Sequence, residues 1–239
     1  MEFMFLIVDR KGAPAGAPVN MEEMGKYAGE LAQQGKLRGG APLHPEAQGA
    51  RVEVRDGRAI VTDGPFAESK EVIAGSFIVD AADRAEAIEI AKRCPHARAG
   101  IVEVRALPDR DVVKPGHTTA ARFERQPTQF MLLLRAAPDE RDPDGSKYKE
   151  MVAYDVVLKR EGSYVESSQL ERDTAARVEG RGGKAIVTDG PFVETKEVAA
   201  GYYVVEAPAR GEAISIAKRC PHARWGTVEV REVVKVGPM

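Results

Sequence analysis

Residues 61–72 have the sequence VTDGPFAESKEV, and residues 187–198 repeat it as VTDGPFVETKEV, 126 positions later. A second stretch, KRCPHAR at 92–98, returns at 218–224 with the same spacing. Long stretches that return at one fixed spacing indicate a duplicated structural unit. The sequence therefore predicts two copies of one fold in a single chain.

The length of 239 residues suits two domains of about 110 residues each. We place the first domain at 1–112, the second at 128–239, and a linker without hydrophobic periodicity at 113–127. The 35 Lys and Arg against 37 Asp and Glu leave a net charge of −2, so neither nucleic acid nor membrane is expected as a partner. Two cysteines, one per copy, and the absence of a signal-peptide pattern predict a cytoplasmic protein with reduced thiols.

Both copies predict the same order of elements. Phe3–Val8 is a continuous apolar run, typical of a buried strand. Asn20 and Glu23 form a capping box that begins an amphipathic helix, and Gly35 ends it. The pattern further predicts a weak strand over 37–43, a hairpin over 51–61 with an Asp56-Gly57 turn, a strand over 72–79, a helix opened by Asp83 and a closing strand over 101–107.

The order strand, helix, strand, hairpin, strand, helix, strand is that of a ferredoxin-like unit with an added hairpin. We therefore predict an α+β fold with two ferredoxin-like units in tandem, each with two helices on one face of an antiparallel sheet. The other face of each sheet must also be covered. We expect the second copy to cover it.

The motif DGPFAESKE at 63–71, with Ala74-Gly75 and Arg93-Cys94-Pro95 after it, resembles the YCII-related proteins of the DGPF type. The segments MGKY at 24–27 and LHP at 43–45 also fit that family. The resemblance covers each half nearly end to end. It implies an intramolecular dimeric α+β barrel, in which the two units pack sheet to sheet.

The resemblance also implies a bacterial protein with relatives of two kinds. Some relatives with this fold are small cofactor-free enzymes, and some family members are encoded beside, or fused to, alternative sigma factors. A glutamate common in the family before the LHP segment is absent, because Ala41 and Ser168 occupy the matching positions. Any role of that glutamate does not carry over to this chain.

Ionisable residues of the DGPF motif occur in both copies, and they supply the catalytic candidates Asp63, Lys70, Asp189 and Lys196. A lysine near carboxylates in a cleft can bind an acidic ligand or tune a general base. The neighbouring candidates for ligand binding are Phe66, Glu68, Phe192 and Glu194. The structural alternative is that the aspartate accepts backbone N–H bonds, Gly-Pro fixes a turn and the phenylalanine anchors the turn in the core.

Two further ligand-binding candidates occur in one copy each. His44 could act as a general base, and Asp155 stands where the first helix has Ala28. The Asp155 carboxylate is either a rim group that reaches water or a buried acid with a raised pKa. The Cys-Pro-His sequence of each copy offers too few ligands for zinc, so no metal site is predicted. We also expect no cofactor, since no phosphate-binding glycine loop occurs.

These observations lead to two hypotheses. The first is a small-molecule-binding protein or a cofactor-free acid–base enzyme, isomerase-like or lyase-like, that takes a small acidic molecule in a pocket between sheet and helices. The alternative is a non-enzymatic regulatory or interaction protein, which predicts an exposed apolar patch outside the contact between the halves. One half could also have lost its function, and a further homodimer stays open.

Overall fold

The computed structural model describes residues 1–12, 19–108, 128–171, 173, 175–181, 184–190, 192 and 196–234. The first half contains β1 (Glu2–Arg10), α1 (Met21–Gln33), β2 (Leu37–Pro42), β3 (Ala50–Arg55), β4 (Arg58–Asp63), β5 (Glu71–Asp80), α2 (Arg84–Lys92) and β6 (Ile101–Ala106). The second half contains β7 (Thr128–Ala136), α3 (Ser146–Glu161), β8 (Tyr164–Gln169), β9 (Ala176–Arg181), β10 (Lys184–Asp189), β11 (Val198–Ala207), α4 (Arg210–Arg219) and β12 (Thr227–Glu232). The predicted order is confirmed in both halves, and the predicted linker 113–127 lies outside the described residues.

Local signals in the sequence form as predicted. The Asn20 side chain accepts a hydrogen bond of 2.7 Å from the Glu23 N–H, and Asp83 caps α2 in the same way. Ala209 precedes α4 and gives it no side-chain cap. In the first hairpin, Asp56 and Gly57 have positive φ angles of 51° and 73°, which a tight turn between β3 and β4 requires.

The hairpins are exchanged between the halves, which the repeat alone did not predict. The two sheets have the strand orders β10-β9-β6-β1-β5-β2 and β4-β3-β12-β7-β11-β8. Each half therefore completes its sheet with the other half's hairpin, through the antiparallel pairs β3–β12 and β6–β9. The physical reason is packing, because Ala50 and Val52 of β3 lie fully buried in the core of the second half.

Among the residues that the structure describes, three apolar clusters hold the fold together. One lies between the first sheet and the helices α1 and α2, and a second lies between the other sheet and α3 and α4. The third contains side chains from both sheets, among them Met4 and Leu6 of β1 and Met131 and Leu133 of β7. Because strand side chains alternate between faces, Phe3 and Phe5 reach the helices while Met4 and Leu6 reach this shared cluster. The second copy thus covers apolar surface of the first, as expected.

The four described helices are short. None of them is long and apolar enough to cross a membrane, within the part of the chain that the structure describes.

Candidate functional site

Charged side chains of the two closing strands, β6 and β12, lie on the sheet faces that the helices do not cover. On β6, Val102 and Val104 pack toward the helices, so Glu103 and Arg105 point to the opposite face. Glu229 and Arg231 hold the equivalent positions on β12 and are each 1% exposed. Each of these four residues takes part in one of two ion-pair clusters.

The first of these, the Glu103 cluster, consists of Glu103, Arg105, Arg177 and Glu71. Arg105 Nη1 and Arg177 Nε each donate to the Glu103 carboxylate at 2.9 Å. The two terminal nitrogens of Arg177 bind Glu71 in a bidentate pair at 3.0 and 2.9 Å. Two guanidinium groups therefore face two carboxylates, and every charge has a direct partner.

The second, the Glu229 cluster, consists of Glu229, Arg51, Arg135, Arg231 and Glu197. Arg51 donates two hydrogen bonds to the Glu229 carboxylate, from Nε at 3.2 Å and from Nη2 at 3.1 Å. Arg135 Nε donates to the same carboxylate at 2.8 Å, and Arg231 Nη1 donates to it at 3.1 Å. Glu197 lies 3.8 Å from Arg51 Nη1, beyond hydrogen-bond distance. Three guanidinium groups thus contact the single carboxylate of Glu229, with Glu197 beside Arg51 and Glu46 acting on Arg231 from a greater distance.

The difference between the clusters comes from one position in the first strand of each half. Val8 of β1 pairs with Ile101, and Arg135 of β7 pairs with the equivalent Thr227. The extra arginine therefore adds a charge that the Glu103 cluster lacks. In addition, Arg51 Nη2 binds the Ser69 hydroxyl at 2.7 Å.

Donor capacity is left over in the Glu229 cluster. Among the described residues, no hydrogen bond is made by Arg51 Nη1 or by the two terminal nitrogens of Arg135. Both side chains keep 9% of their surface exposed, whereas Arg231 keeps 1%. These nitrogens are therefore the groups of the cluster available to a ligand.

The charge balance is visible in the pKa values. Burial alone would raise the pKa of Glu229, but Arg135, Arg51 and Arg231 outweigh it, and the net pKa lies below the ordinary value. Burial lowers the pKa of Arg231, against the effect of Glu229. Glu229 is therefore an ionised carboxylate that holds three cations together.

The motif phenylalanines belong to these clusters. The guanidinium carbon of Arg51 lies 4.2 Å from the ring centroid of Phe66, and that of Arg177 lies 4.3 Å from the ring of Phe192. Phe66 is buried and Phe192 half-buried. A guanidinium over an aromatic face gains a cation–π contact, so each ring fixes the arginine that comes from a hairpin.

The predicted catalytic residues lie apart from one another. Asp63 accepts a hydrogen bond from Arg210 at the start of α4, and Asp189 accepts one from Arg84 at the start of α2. These carboxylates are 74% and 71% exposed, and Lys70 and Lys196 are exposed as well. Within the described residues, none of the four predicted catalytic side chains contacts another. The two aspartates form ion pairs between the halves, of the exposed kind that contributes at most about 1 kcal/mol.

The other predicted ligand-binding residues are spread over the fold. Glu68 is exposed, and Glu194 lies outside the described residues. The His44 carbonyl accepts a hydrogen bond from Arg231 Nε at 3.0 Å, so its backbone, rather than its ring, touches the Glu229 cluster. Asp155 is half-buried and accepts a 2.6 Å hydrogen bond from the Tyr203 hydroxyl.

Histidine and cysteine side chains at the helix ends have structural partners. His96 Nε2 lies 3.1 Å from the Val8 carbonyl and His222 Nε2 lies 2.9 Å from that of Arg135. Burial raises the pKa of Cys94 to about 11 and that of Cys220 to about 12. Within the described residues, no three His, Cys, Asp or Glu side chains are placed to bind a metal ion.

One open groove lies on the outside of the first half, with a volume of about 190 Å³. It contains none of the predicted site residues. Its lining is formed by Glu23, Lys26, Tyr27, Glu30, Arg93, Pro95 and Arg98.

Comparison with known proteins accounts for the duplicated architecture. A model of the YCII-related domain matches the chain twice, at residues 1–109 and 128–236. The chain belongs to the YCII-related family. This YCII-related protein is also 35% identical, over 98 residues, to an uncharacterized protein of Rhizobium meliloti (strain 1021); the match covers 40% of this chain and 77% of that protein.

Sequence reasoning missed the arginines of both clusters. The signal for Arg105 and Arg231 was present, because Glu and Arg alternate with apolar residues on the closing strands. The signal for Arg135 was its position directly after the apolar run Phe130–Leu134, where the first half continues with Val8. Arg51 and Arg177 carried no such signal, since only the hairpin exchange brings them to these carboxylates.

Proposed function

We propose that this YCII-related protein binds a small acidic molecule at the Glu229 cluster. The observation that carries the proposal is that three guanidinium groups share the Glu229 carboxylate, while Arg51 Nη1 and the terminal nitrogens of Arg135 make no hydrogen bond to any described residue. A carboxylate or phosphate group would add negative charge next to these donors. Guanidinium groups suit such ligands because their planar donors match two oxygen atoms at once.

The energetic reason is the cost of an uncompensated charge. A charge removed from water costs several kcal/mol unless a partner offsets it. Arg135 is 8% exposed, and Glu229 already serves two other arginines. A bound anion would offset the cost of burying the Arg135 guanidinium. This offset would contribute part of the free energy of anion binding.

Acid–base chemistry on the bound acid is the reaction class that fits. Glu197 is 32% exposed beside Arg51, and the Thr227 hydroxyl lies 3.2 Å from its carboxylate. A carboxylate next to a bound substrate can move a proton, as isomerisation or elimination requires. In this proposal Arg51 and Arg135 hold the acid, and Glu197 is the proton-transfer group.

Calorimetric titration with acetate, benzoate and inorganic phosphate tests the proposal. We expect saturable binding of one anion per chain, and at least about tenfold weaker binding in Arg135→Val, which restores the residue of the first half. Arg58→Val, an exposed arginine of β4, is the matched control and should bind as the unchanged protein does. Equal binding by Arg135→Val, or two equal sites per chain, would contradict the proposal.

The closed barrel implied by the resemblance forms part of the proposal. Its support is the apolar cluster shared by both sheets. In such a barrel the Glu229 cluster would lie in the space between the sheets, and the balanced Glu103 cluster would serve stability alone. Cytoplasmic location and association with an alternative sigma factor stay predictions.

A further inference from the structure

Helix α3 exposes apolar side chains on the face that points away from the sheet. Tyr148, Val152 and Val156 are 63%, 45% and 61% exposed. Their spacing of four residues places them in one ridge along the helix. Tyr154 and Leu158, by contrast, are buried against the sheet, so the ridge is not part of the core.

The equivalent helix of the first half shows that the fold does not need this ridge. Helix α1 has Met21, Gly25 and Gly29 at the matching positions. A Cβ atom at either glycine would meet nothing within 4 Å, so that face of α1 carries no side chain beyond the exposed Met21. Both helices pack on their sheets, and only α3 carries the valines.

The charge around the ridge also departs from the first half. Lys149, Lys159 and Arg160 are exposed on α3, where α1 has Glu22, Ala32 and Gln33. The neighbouring carboxylates of α3 are engaged elsewhere, because Glu150 pairs with Arg224 and Asp155 accepts from Tyr203. The apolar ridge therefore has a basic border.

We propose that the outer face of α3 binds an acidic amphipathic helix of a partner protein. The outer face is defined by Tyr148, Val152 and Val156 with Lys149, Lys159 and Arg160. Apolar side chains of the partner helix would cover the ridge, and its carboxylates would meet the three cations. This surface is independent of the Glu229 cluster.

Two other occupants fit the same face less well. A second copy docked through its own α3 would bring two basic borders together, and a stable dimer takes about 20 residues a side, far more than this ridge supplies. An anionic membrane favours helices with large apolar residues such as Trp, Phe and Leu. The two valines of the ridge reach only a short distance from the helix.

The test uses a synthetic helical peptide of about 18 residues, which makes five turns, with leucines on one face and glutamates on the other. A matched peptide has lysine in place of each glutamate. We expect the unchanged protein to bind the acidic peptide, to prefer it to the basic one, and to lose affinity with added salt. Fluorescence anisotropy of the labelled peptides measures all three.

Two sets of variants locate the contact. Lys149→Glu, Lys159→Ala and Arg160→Gln together give α3 the residues of α1, and Val152→Ala with Val156→Ala removes the ridge. Each set should weaken acidic-peptide binding at least about tenfold. Unfolding in urea should change by less than about 1 kcal/mol, because all five positions are exposed and Lys159 loses only a 4.5 Å cation–π contact with Tyr164. Met21→Ala on α1 is the control and should bind normally.

Three results would overturn the proposal. One is equal affinity of the variants and the unchanged protein. A second is binding to vesicles of phosphatidylcholine and phosphatidylserine without binding of the acidic peptide. The third is self-association in sedimentation experiments that the same variants abolish, which would make a second copy the occupant.

Discussion

Arg51 and Glu229 are 178 positions apart in the chain and form a buried ion pair, with Arg51 Nε and Nη2 at 3.2 and 3.1 Å from one carboxylate oxygen. Arg51 belongs to the hairpin of the first half and Glu229 to the closing strand of the second. The exchange of hairpins is therefore fixed by charge as well as by backbone pairing. Arg177 and Glu103 form the equivalent pair in the opposite direction, at 2.9 Å.

Glu229→Gln should strongly destabilise the protein. The change leaves three guanidinium groups around a neutral side chain, and breaking a buried ionic cluster in this way costs about 3–5 kcal/mol. Urea unfolding measures the difference. Glu22→Gln is the control, since that carboxylate is 74% exposed in its pair with Lys26 and should change stability by less than about 0.5 kcal/mol. Similar small losses in both variants would mean that the cluster does not hold the halves together.

The same carboxylate should make stability depend on pH in acid. The arginines hold the pKa of Glu229 below its unfolded value of about 4.3. A lowered folded-state pKa gives stability that is present above the unfolded pKa and lost as pH falls through the folded pKa. The difference in unfolding free energy between the unchanged protein and Glu229→Gln should therefore shrink below about pH 4. A difference that stays constant down to the acid transition would contradict this assignment.

The sequence predicted the elements of the fold because their signals are local. The Asn20 cap, the Asp83 cap and the Asp56-Gly57 turn each involve residues no more than four positions apart, and all three form as predicted. The hairpin exchange was not predicted because a strand of alternating residues, such as β3, fits either of two closing strands of similar sequence, IVEVRA in β6 and TVEVRE in β12. The candidate site was not predicted for the same reason, since Arg51 reaches Glu229 only through the hairpin exchange.

The DGPF motif also shows why a repeated residue need not be catalytic. Asp63 and Asp189 occur in both copies, and each contacts the first residue of a helix in the opposite half. Because each half packs against the other, the same contact between a motif aspartate and a helix start forms twice in one chain. A position that differs between the halves, Val8 against Arg135, instead adds donors that make no hydrogen bond to the described residues.

The pair Tyr203 and Asp155 should behave as one unit. The first half has Phe77 and Ala28 at these positions, an apolar pair that packs without a hydrogen bond. Asp155→Ala removes the 2.6 Å partner of the buried Tyr203 hydroxyl, which keeps only a 3.4 Å hydrogen bond to the Met151 carbonyl, and should cost about 1–3 kcal/mol. Adding Tyr203→Phe recreates the pair of the first half and should recover part of the loss. A double-mutant cycle in urea checks this, and strictly additive losses would show that the two side chains do not interact.

Both thiols should be unreactive in the folded protein. Burial raises the pKa of Cys94 to about 11 and that of Cys220 to about 12, and the thiolate is the reactive form. At about pH 8, near the ordinary thiol pKa of about 8.5, a coloured disulfide reagent should titrate no thiol in the native protein and two in urea. Rapid reaction of one native thiol would show that its helix end opens to solvent.

Two glycine-to-alanine changes in neighbouring elements should have opposite effects. A Cβ at Gly226 would overlap the Arg135 carbonyl and the His222 ring, which are joined by a 2.9 Å hydrogen bond. Gly226→Ala should therefore cost about 1–3 kcal/mol, the usual range for overpacking. Gly211, in the first turn of α4, has no atom within 4 Å of a built Cβ, so Gly211→Ala should stabilise by up to about 1 kcal/mol through its better helix propensity. Thermal unfolding of the two variants in one buffer measures whether stability falls in Gly226→Ala and rises in Gly211→Ala. A Gly226→Ala protein as stable as the unchanged one would show that the His222 ring and the Arg135 carbonyl can move apart to admit the methyl group.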